Sequence, residues 1–215
     1  MACNHKFKSD LYLSNLDFKP ETLIVGTFNP EWPAANTAQW FYGRTHDEDG
    51  NQNNNFWDVL PRLYEEETLI NAGPKEWRGF CRKKRIAITD LIASIDDAEE
   101  GETEHQKHLG NYSDKNIATK FKQHSPTKVD KILENHPSIS NVYLTRGTGE
   151  IFWRNLWQPV VEYAGRREGI REATLLTPSG YAFYQQSRYN KKNREQPINA
   201  LADFILYSWE QQWHF

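Results

Sequence analysis

Residues 23–60 read LIVGTFNPEWPAANTAQWFYGRTHDEDGNQNNNFWDVL, and their order decides how the rest of the chain is read. Thr22 to Phe28 is a short apolar run rich in β-branched residues, the composition of a strand buried on both faces. It breaks at Asn29-Pro30 and enters a long loop carrying Trp32, Trp40, Phe41 and Tyr42. Regular structure resumes at Asn55-Phe56-Trp57, after which Leu60, Leu63 and Tyr64 continue at helical spacing, with Pro61 set to end or kink the helix one turn in. Open α/β sheets bind ligands outside the carboxyl ends of their strands. A strand ending in a Gly/Asn/Pro turn and followed by aromatics is therefore a pocket signal for a flat ligand.

Working outward, the same alternation repeats. Pro74 to Lys84 reads as a helix with proline in its first turn, and Arg85 to Ile88 as a second strand ending at Thr89-Asp90. Ser125-Pro126 is expected to open a helix to about Asn135, Asn141 to Leu144 is a third strand, and Thr148 to Ala164 is an amphipathic helix stopped by Gly165. Ala173 to Leu176 is a fourth strand ending at Thr177-Pro178-Ser179-Gly180. A polar, basic loop follows, and the chain closes on a helix from about Pro197 to Gln212. Strands alternating with helices predict a three-layer α/β/α fold around a four-stranded parallel sheet. The expected organisation is an N-terminal extension over 1–21, loose and with Leu11, Leu13 and Leu16 on the domain surface, and one domain over 22–215. An acidic insertion at about 96–113 reads as a solvated segment without chemical consequence.

Composition bounds the function. The chain has 215 residues, enough for one domain with a real core, and 13% aromatics offset a hydrophobic fraction of 38%. Mean hydropathy is −0.83. Net charge is −3, so bulk charge announces no nucleic-acid partner, although a local basic face is what contacts phosphates. Two cysteines, Cys3 and Cys81, are too few for a disulfide framework and fit a reducing cytoplasmic setting. No apolar run approaches the roughly 20 residues of a membrane span. Neither a Ser-His-Asp elbow nor a phosphate-binding glycine loop nor a dinucleotide fingerprint is present. His105 and His108 lack a third ligand in register, and Asp47-Glu48-Asp49-Gly50 lacks the remaining ligands of a calcium loop. No metal or organic cofactor is expected.

In a parallel sheet the strand ends share one edge. The first end supplies Gly26 through Pro30 and the second Asp90. The fourth supplies Thr177 to Gly180, then Tyr181, Phe183, Tyr184, Arg188, Lys191, Lys192 and Arg194. A polar turn, a carboxylate and an aromatic, basic loop on one edge suit a cleft that takes a base and grips a phosphate backbone, stacking being worth roughly 1–3 kcal/mol per base.

The segments GTFNP, WFYG and NNFW resemble the first motif region of the uracil-DNA glycosylase superfamily, nearest its mismatch-specific (thymine/uracil) and hypoxanthine-type branches. LLTPSG is similar to the second motif of the mismatch-specific branch, and the likeness spans about residues 22 to 212. It implies a monofunctional glycosylase acting on a flipped base in single- or double-stranded DNA, with uracil, thymine opposite guanine, or hypoxanthine as substrates. A monomer is expected. By motif position Asn29 orients the attacking water, with Asn55, at the helix start, as a rival for that role. Phe41 stacks on the base beside Trp40 or Tyr42, while Gly26 and Thr177 border it. Ser179 and Gly180 meet the DNA backbone, and Tyr181, Arg188, Lys191 and Lys192 supply the wedge and the phosphate contacts. Three departures stand out: one residue more before Asn29 than in the mismatch-specific branch, Thr177 where that branch has asparagine, and a longer loop from Glu31 to Asn54.

Plainer readings compete with each assignment. Asn29-Pro30 and Pro178-Ser179-Gly180 are common turn chemistry, Asn55 and Asp90 are both suited to capping, and Arg82 to Arg85 is a basic helix end. Two other functions fit the same residues. One is a catalytically silent nucleic-acid-binding module; the other is a hydrolase of free nucleosides or nucleotides.

Overall fold

The computed structural model describes residues 1–32, 36–47, 49–111 and 113–215. In the first part of the chain these form β1 (Cys3–Asn4), α1 (Lys8–Leu11), β2 (Thr22–Gly26), α2 (Phe56–Arg62), α3 (Pro74–Lys84), β3 (Ile86–Asp90) and β4 (Ile92–Ile95). Next come α4 (Thr103–Gly110), α5 (Asp114–Lys120), β5 (His124–Pro126), α6 (Val129–Asn135), β6 (Asn141–Leu144) and α7 (Ile151–Arg166). The chain ends with β7 (Arg171–Thr174), a 3-10 turn (Gly180–Ala182), α8 (Phe183–Lys192) and α9 (Leu201–Glu210).

The central sheet has the order β3-β2-β6-β7, with every neighbouring pair parallel. Strand alternation sorts its side chains into two cores. Leu23, Val25, Ala87, Val142 and Leu144 face α6 and α7, where Ile132, Trp153 and Trp157 lie. Ile24, Ile86, Ile88 and Tyr143 face α2, α3 and α9, meeting Trp57, Phe80 and Trp209. The result is the three-layer α/β/α arrangement that the alternating pattern predicts.

A second, three-stranded antiparallel sheet, β1-β4-β5, was not legible in the pattern. Its first strand lies in the segment expected to be a loose extension. Cys3 and Leu11 are fully buried there, and Leu13 nearly so. Ser125-Pro126 belongs to β5 rather than to a helix start, because Ser125 pairs with Ser94 and its hydroxyl donates to Asp96 at 2.7 Å. The expected loop after Gly180 is mostly helix α8. Its inward face holds one ring, Tyr189 against Phe204, and otherwise amides, too little for an apolar period: Gln186 donates to the carbonyls of Ile198 and Asn199, and Asn190 exchanges two hydrogen bonds with Ile198.

The basic run closing α3 is spent on ion pairs, Arg82 with Asp17, Lys83 and Lys84 with Glu66, and Arg85 with Glu21. Among the described residues no cluster of potential ligands could hold a metal ion, and no helix is long and apolar enough to cross a membrane.

Burial also sets thiol chemistry. It pushes the Cys3 thiol up to about 11 and the Cys81 thiol higher still. Since the thiolate is the reactive form, Ellman's reagent at pH 8 is expected to titrate neither cysteine in the folded protein and both after denaturation. Rapid reaction of either thiol in the native state would contradict this packing.

Candidate active site

A cleft of about 870 Å³ opens along the carboxyl edge of the parallel sheet, within the size range of small-molecule sites. Register builds its floor. Gly26 pairs with Asp90 at the ends of β2 and β3, and Thr145 follows β6 with its N–H on the Val25 carbonyl at 3.0 Å. Asp90 is 2% exposed and caps nothing: its Oδ2 accepts from His5 Nε2 at 2.7 Å and from Asn29 Nδ2 at 3.3 Å. The second bond uses the Asn29 amide nitrogen and leaves its side-chain oxygen, Oδ1, without a protein partner among the described residues.

Gly26 makes room for this arrangement. A Cβ at that position would collide with Asp90 Oδ1 and stand 2.7 Å from the Tyr42 hydroxyl. Gly26→Ala is therefore expected to cost about 1–3 kcal/mol through overpacking and to displace the Asp90 carboxylate. Thermal unfolding checks the first effect, and a wild-type melting curve would contradict it.

The three consecutive aromatics divide. Trp40 and Phe41 turn into the core, where Phe41 is 0% exposed and touches the His5, Phe7 and Trp40 rings rather than the cleft. Tyr42 adopts φ +55°, a left-handed conformation uncommon for a bulky residue. That turn sends its ring to the cleft wall, stacked on Phe56 at 3.8 Å and 4° between planes. Its hydroxyl bonds Thr145 Oγ1 at 2.7 Å. Burial, then the nearby Asp90 charge, holds that phenol well above its usual range, so it stays protonated.

The two motif loops meet. Asn54 and Ser179 form an antiparallel bridge, and Asn55 donates to the Pro178 carbonyl through its backbone N–H (2.7 Å) and its side chain (2.9 Å). Asn55, with its oxygen taken by Gln52 at 2.6 Å, ties the loops together and does not line the cleft. Asn53 and Asn54, its neighbours, do. With its amide oxygen turned to Arg44, Asn53 accepts from two guanidinium nitrogens at 2.8 Å each. Thr177 and Ser179 share a hydroxyl contact at 3.0 Å on the same rim.

The far wall was missed in the sequence. Asp114, delivered by the end of the acidic insertion, accepts from Thr27 Oγ1 at 2.8 Å and from Arg146 at 2.7 Å. The Arg146 guanidinium rests 4.2 Å over the Trp153 ring. Burial raises the Asp114 carboxyl against the opposing pull of Arg146 and Thr27, and it lowers the Arg146 guanidinium. No local signal marks these residues; only the sheet edge gathers them.

At the mouth, Tyr181 and Tyr184 are 69% and 67% exposed, with Phe183 beside them. Along α8, Tyr184, Arg188 and Lys191 fall on one outward face by helical spacing. Arg188, Lys191 and Lys192 are exposed and enter no ion pair among the described residues, although they do not line the cleft itself.

Comparison with known proteins adds little to this geometry. No family model matches the chain, and no curated protein does. The chain is similar to a protein of Methanosarcina acetivorans whose solution NMR structure is provisionally described as a uracil DNA glycosylase. Identity is 17%, covering 89% of this chain and 92% of the other, with a TM-score of 0.47. At those values the likeness says nothing of chemistry, which rests on the residues above.

Proposed function

We propose that the protein is a DNA glycosylase that hydrolyses the N-glycosidic bond of a flipped modified or mismatched base. The observation that carries this reading is the convergence of Asn29 and Asp90 on the cleft floor beside the Tyr42 wall. Tyr42, rather than Phe41, offers the flat surface for a base. Water held by the side-chain oxygen of Asn29 adds to C1′ of the sugar while the C1′–N bond breaks and its electron pair leaves with the base. Asp90 accepts the proton from that water and faces the positive charge that develops on the sugar. An amide does not abstract protons near neutral pH, so Asn29 orients and Asp90 carries the charge. The exposed aromatic and basic face of α8 supports DNA as the partner, since base flipping needs a wedge and a grip on phosphates.

Oligonucleotides carrying uracil, thymine opposite guanine, or hypoxanthine, in single and double strands, test this directly. Alkali-labile breaks at the modified position are the expected result, and no break in any of them would overturn the reading for those bases. Replacing Arg188 and Lys191 by glutamate should weaken DNA binding and reduce the slope of log K against log salt by roughly 2. An unchanged slope would remove α8 from the interface. Turnover of free deoxyuridine or deoxyinosine in place of DNA would favour a nucleoside hydrolase.

A further inference from the structure

The N-terminal strand enters the cleft floor more intimately than its place in the chain suggests. Lys6 N–H donates to the Asn29 carbonyl at 2.8 Å, and Glu31 N–H donates to the Asn4 carbonyl at 2.8 Å. Residues 4–6 thus brace the backbone on both sides of Asn29-Pro30. On the other flank His5 N–H reaches the Ala93 carbonyl at 2.9 Å, just beyond Asp90 in the chain.

The His5 ring is 1% exposed and packed against Phe7, Phe28 and Phe41, with centroids at 5.8, 5.7 and 5.5 Å. Its tautomer follows from its partners. Phe7 N–H donates to Nδ1 at 3.0 Å, so Nδ1 is the acceptor and the proton of the neutral ring sits on Nε2. That N–H points at Asp90 Oδ2 across 2.7 Å, and the same oxygen receives Asn29 Nδ2 at 3.3 Å. Two donors on one carboxylate oxygen fix the carboxylate plane, keep Oδ1 for other work, and decide which way the Asn29 amide faces.

We infer that His5 is a positioning residue of the active site: it orients Asp90 and, through that carboxylate, the Asn29 amide. The inference deepens the glycosylase reading, because Asn29 and Asp90 matter to catalysis only if that reading holds. The orientation itself does not depend on it. A merely structural buried histidine would tolerate any replacement that keeps the packing, whereas a positioning one needs its donor.

Two variants of the full chain separate these. His5→Phe keeps a ring of similar size without a donor, and His5→Gln returns an N–H at about the reach of Nε2. Single-turnover cleavage, affinity for the same DNA, the melting temperature and the NMR resonances of the Asn29 side-chain amide are measured for each. His5→Phe is expected to slow single-turnover cleavage by about 10- to 100-fold, the scale of a small misplacement of reacting groups. It should leave DNA affinity near wild type and shift the Asn29 amide signals. His5→Gln should recover most of the rate and restore those signals. Wild-type cleavage and an unmoved Asn29 amide in His5→Phe would overturn the inference. So would equal losses in both variants that track a fall in melting temperature. If the wild-type protein cleaves none of the modified DNAs, the glycosylase reading falls, and the response of the Asn29 amide to His5→Phe alone still decides whether His5 positions it.

Discussion

On the glycosylase reading proposed above, Asp90→Asn is expected to lower base excision by about a thousandfold, the middle of the range for losing a positioned proton acceptor, and to leave the chain folded. The carboxylate sits on the floor of the cleft with one oxygen engaged by His5 and Asn29. Asparagine keeps the shape and one acceptor for His5, so the buried contact survives. In the proposed mechanism it loses the charge that faces the sugar and the ability to take a proton from water. Single-turnover cleavage with enzyme in excess isolates the chemical step, and DNA affinity measured on the same variant should stay close to wild type. An Asp90→Asn protein that cleaves within a few-fold of wild type would exclude Asp90 from the chemistry. Water would then have to be activated elsewhere on the cleft.

Trp57→Ala is expected to cost about 3–5 kcal/mol of stability, the scale of removing a large buried aromatic. Trp57 is fully buried between Trp40, at 5.8 Å and 21°, and Trp77, at 5.1 Å and 7°, in a column of stacked rings. Its Nε1 also donates to the Phe41 carbonyl at 3.0 Å, and alanine would leave that buried acceptor unpaired. For a chain of this length the melting temperature should fall by roughly 10 °C. Trp57→Phe, which keeps a ring but not the donor, should lose less. Because the same column holds the loop that turns Tyr42 to the cleft, activity should fall with stability in the alanine variant. A melting temperature within about 2 °C of wild type, the shift that less than 1 kcal/mol would give, would show that the column is dispensable.

The motif NNFW illustrates how far sequence reading goes. Phe56 and Trp57 were legible as helix residues with an apolar face, and they are core. Which asparagine faces the cleft was not legible, since adjacent residues in an irregular segment point in directions set by backbone torsions that no period reveals. Asn55 turned out to tie the second motif loop to the first, while Asn53 and Asn54 border the cleft. Trp40, Phe41 and Tyr42 teach the same lesson. Three successive aromatics predict that at least one lines a pocket, and the left-handed turn at Tyr42 selects which. Helix α8 escaped because, beside the single ring of Tyr189, its anchoring contacts are amide hydrogen bonds to residues 198 and 199. Hydrophobic spacing is blind to those.

By itself, the sequence determined the three-layer fold, the four strand positions to within a few residues and the sheet edge where chemistry belongs. Short β-branched runs between helical segments leave few alternatives to a parallel sheet, and a parallel sheet brings its carboxyl ends to one side. Tertiary structure alone decided the membership of the site. His5 comes from a segment that reads as a tail, and Asp114, at the start of α5, and Arg146, in the connection after β6, carry no motif; they meet Asn29 and Asp90 only because two sheets and their loops pack against one edge. Hydrogen bonds between groups as far apart in the chain as His5 and Asp90 follow from that packing and from nothing local.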